Sequence, residues 1–127
     1  MKTSLCIFFL FSICFCIFFC LVVNYDSLSE KENEAMRRGN EIVFALEQYF
    51  LAKSEYPDTL DELVPVFIEK IPRTGLRNGL RFNVPFCYHH YKYKHEQTQT
   101  YLLYFRYDIF SELYYKSDAK KWEYANH

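Results

Sequence analysis

Three glycines in 127 residues leave little material for a phosphate-cradling loop, and neither a Walker loop nor a dinucleotide fingerprint occurs. A nucleophile elbow and an H-E-x-x-H pair are absent as well. The paired carboxylates Asp61 and Glu62 fall at a helix start, where they suit the helix dipole. Catalysis therefore has no support in the sequence, and the expectation is a protein that is not an enzyme and uses no cofactor. A charge of one sign is also lacking: setting Lys2 aside leaves 14 cations against 16 anions. Near neutrality gives no support to a polyanion-binding role, so no nucleic-acid partner is expected. Cysteine is scarce outside one segment. Cys6, Cys14, Cys16 and Cys20 all lie before residue 24, and Cys87 stands alone after it, so no disulfide can form within residues 24–127. The first four read as small hydrophobes, and Cys87 is expected to be buried rather than paired with another chain.

Apolar length is what the chain has in quantity. Residues 5–23 (LCIFFLFSICFCIFFCLVV) carry no charge. At about 1.5 Å per residue this run is roughly 28 Å long, against roughly 30 Å for the hydrocarbon core of a bilayer. One membrane span follows. Lys2 precedes the run, whereas Asp26, Glu30, Glu32 and Glu34 follow it, which puts the N-terminus in the cytoplasm. The expectation is an inner-membrane, single-pass protein, with residues 1–23 as an anchor or uncleaved signal and residues 24–127 periplasmic or extracellular. A cleaved secretory signal is the rival reading. It fits less well because the run is bulky to its end, at Phe18, Phe19, Leu21, Val22 and Val23, and lacks an A-x-A-like exit.

The exported part is long enough for one domain. Two candidate capping boxes, beginning at Ser27 and Ser29, open a helix predicted over residues 28–54. Met36, Gly39, Val43, Leu46 and Phe50 recur at three- and four-residue steps, joined by Ala35, Ile42 and Tyr49, and make one apolar stripe. No Pro or Gly separates this helix from residues 5–23, so the two can form one continuous rod. Tyr56-Pro57 ends it. Asp58 or Thr59 caps a short helix predicted over residues 58–65, with Glu62 behind the cap and Leu60, Leu63 and Val64 as its apolar face. Turn signals at Thr74-Gly75 and Asn78-Gly79 follow. From Leu80 the period becomes two: Leu80, Phe82 and Val84, then Tyr91, Tyr93 and His95, then residues 101–107, 113–116 and 122–124. This predicts an antiparallel meander over residues 80–125. The fold class is α+β, with the helix stripe of Met36, Val43, Leu46 and Phe50 buried on the sheet.

Ile42, Ala45, Leu46 and Tyr49, then Tyr56-Pro57-x-Thr59-Leu60-x-x-Leu63, then Ile71-Pro72, and Ser117-Asp118 with Trp122 resemble the pilin-like proteins, above all the major pseudopilin of type II secretion. The resemblance covers roughly residues 36–127, and Tyr56 and Pro57 mark its turn. It implies a structural or scaffolding envelope protein of bacteria, acting by helix packing with protein partners or by self-association through the N-terminal helix. The chain departs from that family in having no glycine before Gly39 and no acid within residues 5–23. Pilins carry a glycine-ended leader and a glutamate early in the mature helix. Asp118 also lacks the acidic neighbours of the family's calcium site.

One stretch could carry chemistry, from Cys87 through His89, His90, Tyr91 and Lys92 to His95. On a strand, Cys87, His89, Tyr91, Tyr93 and His95 share a face. Cys87 and His89 would then be neighbouring soft ligands, and His95 could join them only across a hairpin. No second Cys or acidic cluster completes a tetrahedral set, so no metal site is assigned and Cys87, His89 and His95 stay weak candidates. An exported binding module using this sheet face for a metal or small ligand is the alternative to the scaffolding role.

Overall fold

The computed structural model describes residues 2–93, 98–108 and 111–125. At residues 2–28 and at Tyr93 it describes the backbone only, except for the side chains of Ile13 and Ile17. The chain divides into two units, Met1–Glu32 and Asn33–His127, and helix α1 (Lys2–Lys53) supplies residues to both. The expected helix 28–54 is the C-terminal part of α1, which passes Ser27 and Ser29 without a cap.

In the first unit, Ile13 and Ile17 are 50% and 55% exposed. Among the described residues no helix is long and apolar enough to cross a membrane. Apart from those two isoleucines, the side chains of the span expected at residues 5–23 lie outside the described residues.

The second unit is an α+β layer pair in which α1 packs on an antiparallel sheet. Strands β3 (Cys87–Tyr93), β4 (Thr98–Arg106), β5 (Glu112–Lys116) and β6 (Lys121–Tyr124) pair in chain order. Cys87 lies opposite Tyr104, Leu103 opposite Tyr115 and Tyr115 opposite Trp122. Alternation then decides which side chains face the helix. Tyr101, Leu103 and Phe105 of β4 and Leu113 of β5 are buried, with Tyr88, Tyr115 and Trp122 partly buried against them.

The helix lies on this face by the predicted stripe, deepest along its Ala35, Gly39, Ile42 and Leu46 side. Ala35, Gly39, Ile42, Ala45 and Leu46 are buried, whereas Met36, Val43 and Phe50 are only partly so. The seam centres on that side because Ala35, Gly39 and Ala45 are small and let helix and sheet approach closely. The bulkier residues pack along its flank. Gly39 shows the constraint: a Cβ there would lie 2.7 Å from Trp122 Cη2, closer still to Cζ2, and 3.1 Å from Phe86 Cε1. The Trp122 Nε1 donates to Asn40 Oδ1 at 2.8 Å beside it.

The short helix is also smaller than predicted. In place of residues 58–65 there is one 3₁₀ turn, Leu60–Leu63. The Glu62 carboxylate accepts from the Asp58 and Thr59 N–H groups at 2.9 and 3.0 Å, and Leu63 is fully buried. Val64 is extended at φ −92° and ψ 139° and lies 36% exposed, outside the apolar face expected for it. Proline at position 65 pushes the residue before it out of the helical region.

The meander begins at Cys87, not at Leu80. Residues 77–82 instead form a tight hairpin of β1 (Arg77–Asn78) and β2 (Arg81–Phe82), with Leu80 91% and Phe82 71% exposed. Gly79, at φ +56°, fills the first central position of its two-residue turn, where type II′ hairpins favour glycine. Asn83 at φ +59° then breaks the alternation. Only Val84 of the predicted strand turns inward, its N–H donating to Leu76 O at 3.1 Å.

Candidate functional site

The seam carries a polar cluster as well as an apolar core. Glu47, one turn beyond Val43 on the edge of the buried face, accepts hydrogen bonds from Tyr56 OH at 3.1 Å and Tyr101 OH at 3.2 Å. Tyr56 and the fully buried Pro57 turn the chain back under the sheet, with the Tyr56 N–H donating to Gln99 Oε1 and the Tyr88 OH to Pro57 O. Tyr56 stacks on Phe50 at 4.6 Å and meets Tyr101 edge-on at 4.8 Å. Burial first, and the Glu47 charge second, push the Tyr56 and Tyr101 phenols well above the usual tyrosine range. The phenols stay protonated and donate, so this is a charge-assisted clamp between helix and sheet rather than a proton relay.

The opposite side of α1 is left uncovered by the described part of the second unit. Phe44 and Leu51, seven residues apart, are 67% and 76% exposed. Beside Phe44 runs a groove of about 430 Å³, walled by Arg37, Asn40 and Glu41 of the helix and by Phe67 and Ile68. Arg37 is held between Glu34 at 2.8 Å and Glu41 at 2.9 Å. Hydrogen bonds from Arg37 and Arg38 bring the Glu34 carboxyl down to about 2.

The outer face of β3 brings Cys87, His89 and Tyr91 together as the alternation predicts. It also exposes Cys87, contrary to the expected burial. The reason is the register: Tyr88 and His90 take the inward positions, so the odd-numbered residues face away from the helix. His89 stacks on Tyr104 at 5.6 Å, with Nε2 3.2 Å from the phenol oxygen. Burial, followed by the adjacent Cys87, raises the Tyr104 hydroxyl. A shallow pocket of about 290 Å³ beside Cys87 is lined by Tyr104, Arg106, Asn78 and Arg81. Among the described residues no group of three or more His, Cys, Asp or Glu side chains could hold a metal ion. His95 lies outside the described residues. On the inner face the His90 side chain is 5% exposed, with Nδ1 3.7 Å from Asp58 Oδ1 and a buried Nε2 that has no protein partner.

The pairing of Glu47 with Tyr56 and Tyr101 was missed by sequence reasoning, although a signal existed. Glu47 is an acid bordering the stripe, and tyrosines entering a core need partners for their hydroxyls. Comparison with protein-family models, with curated proteins and with solved structures finds no match for this chain.

Proposed function

We propose that this chain is a single-pass envelope protein with an extracytoplasmic, pilin-like α+β domain, and that it acts as a structural or scaffolding component through helix packing. The observation that carries the reading is the two-sided use of α1. One face is spent on the sheet, and Phe44 and Leu51 remain exposed on another. An uncharged run at residues 5–23 lies upstream on the same chain. The resemblance to major pseudopilins at Tyr56-Pro57 and Leu60-x-x-Leu63 supports the same role, with a protein partner or a second copy at the exposed face. No catalytic role is proposed.

Membrane fractionation of a C-terminally tagged chain, with a photo-crosslinking residue in place of Phe44 or Leu51, tests it. Retention through alkaline extraction and a discrete crosslinked product are expected. Release of the full-length chain by alkali, or a mature N-terminus near residue 30, refutes the anchor. Absence of crosslinks at both positions refutes helix packing. A second reading, an exported binding module, is favoured by the exposed Cys87, His89 and Tyr104 corner, and release by alkali would promote it.

A further inference from the structure

The β1–β2 hairpin is an apolar tip set among cations. Leu80 occupies a turn position where small polar residues are the usual choice, and it is 91% exposed, with Phe82 71% exposed beside it. Neither contributes to the core. The Arg77 guanidinium lies over the Phe82 ring at 4.5 Å and its Nε donates to Gly79 O at 2.7 Å, which holds the arginine against the tip. Arg73 and Arg81 are exposed on the same segment. From Lys70 to His95 the chain has six Lys or Arg and no Asp or Glu. The near-neutral total conceals this segregation.

We infer that this hairpin is a docking element for an anionic lipid surface. Leucine and phenylalanine enter the interfacial region of a bilayer while arginines pair with headgroup phosphates, the combination that basic amphipathic elements use. Two exposed apolar side chains beside the cations favour lipid over other anionic partners, for which charge alone would serve. Arg38, close to where α1 enters this unit, donates to Arg73 O at 3.1 Å, and Asn78 Nδ2 donates to Arg106 O at 3.2 Å. These bonds fix the hairpin to the folded second unit. In one respect the inference rests on the single-pass reading, since a chain anchored through residues 5–23 is tethered at a bilayer, which raises the hairpin's effective concentration there.

The full-length chain carrying Leu80→Trp, reconstituted in phosphatidylcholine vesicles with brominated acyl chains, with or without phosphatidylglycerol, provides the test. The parent chain is the blank for Trp122. Quenching of the added tryptophan is expected with phosphatidylglycerol and is expected to weaken with salt. Adding Arg81→Gln should lower the docked-to-undocked ratio about fivefold. No quenching with phosphatidylglycerol, or equal quenching in both vesicles with no effect of salt, overturns the inference. A blue shift that follows protein concentration in detergent also overturns it, by making a second copy the occupant. Alkaline extraction separates the two readings. Chain released by alkali but quenched by anionic vesicles keeps the hairpin and sinks the anchor, whereas chain retained but unquenched does the reverse.

Discussion

Replacing Gly39 with alanine sets two effects of opposite sign against each other. Helix propensity alone favours alanine by about 1 kcal/mol in a helix interior. Against it stands Trp122, whose Cη2 would lie 2.7 Å from the new Cβ. That separation is far inside van der Waals contact, and the obstacle is a ring wedged between Phe105 at 5.7 Å and Tyr115 at 5.6 Å. It cannot swing away as a lysine tip would. Overpacking of this kind costs about 1–3 kcal/mol, and displacing the indole also breaks the Trp122–Asn40 hydrogen bond, worth about 0.5–1.5 kcal/mol. The net expectation is destabilisation by about 1–3 kcal/mol, or a fall in Tm on the order of 10 °C. Thermal unfolding of the full chain in mild detergent, followed by Trp122 fluorescence, reads it directly, because this is the only tryptophan in the sequence. A Trp122→Ala background, followed by circular dichroism since it has no tryptophan, removes the indole and leaves Phe86 at 3.1 Å. There the penalty of Gly39→Ala should shrink to near zero, as the propensity gain offsets the remaining Phe86 contact. A parent chain made more stable by Gly39→Ala would refute the close approach of helix and sheet.

Leu46→Ala should cost about 2–5 kcal/mol in unfolding free energy, because the side chain is fully buried in the seam; a change within the error of a denaturant titration would contradict that placement. Cys87, being exposed, should react promptly with a polar thiol reagent in the native state, and labelling that waits for unfolding would contradict its outward register. Burial raises the folded-state pKa of Tyr56, Tyr88 and Tyr101 above the ordinary tyrosine value. Their contribution to stability is therefore intact below about pH 10 and is lost as pH rises further, when the unfolded chain ionises first. Tyr101→Phe should flatten this alkaline decline in a pH series of thermal melts, and an unchanged slope would argue against a buried phenol there.

The long helix, the turn at Tyr56-Pro57 and the last three strands were legible because each rests on local periodicity. A period near 3.6 up to Phe50 and a period of two from Tyr101 onward survive any tertiary arrangement. What could not be read was which side of that stripe lies deepest. The stripe holds both sets: apolar size favours Met36, Val43 and Phe50 for its centre, whereas closeness of approach favours Ala35, Gly39 and Ile42. Leu80 and Phe82 misled for a related reason. They alternate as a buried face would, but Gly79 and Asn83, both at positive φ, confine the segment to a two-residue ladder that reaches no core. Of the candidate site, the shared face of Cys87 and His89 was legible from alternation. That this face points outward was not, because it depends on which side of the sheet the helix takes.

The order of the strands also governs how the chain meets the ribosome's timetable. Each strand of the meander pairs with its neighbour in sequence, so every hairpin closes over a short stretch of chain. The seam instead joins Glu47 to Tyr101 across 54 residues and Asn40 to Trp122 across 82, closures that cost more entropy and tend to come later. Since synthesis delivers the N-terminal part first, Ile42 and Leu46 emerge long before β4 and β6 exist to cover them. The nascent helix thus has an unshielded apolar line for most of the domain's synthesis, and it is during that interval that a holding chaperone or an early partner would have most to gain by binding it.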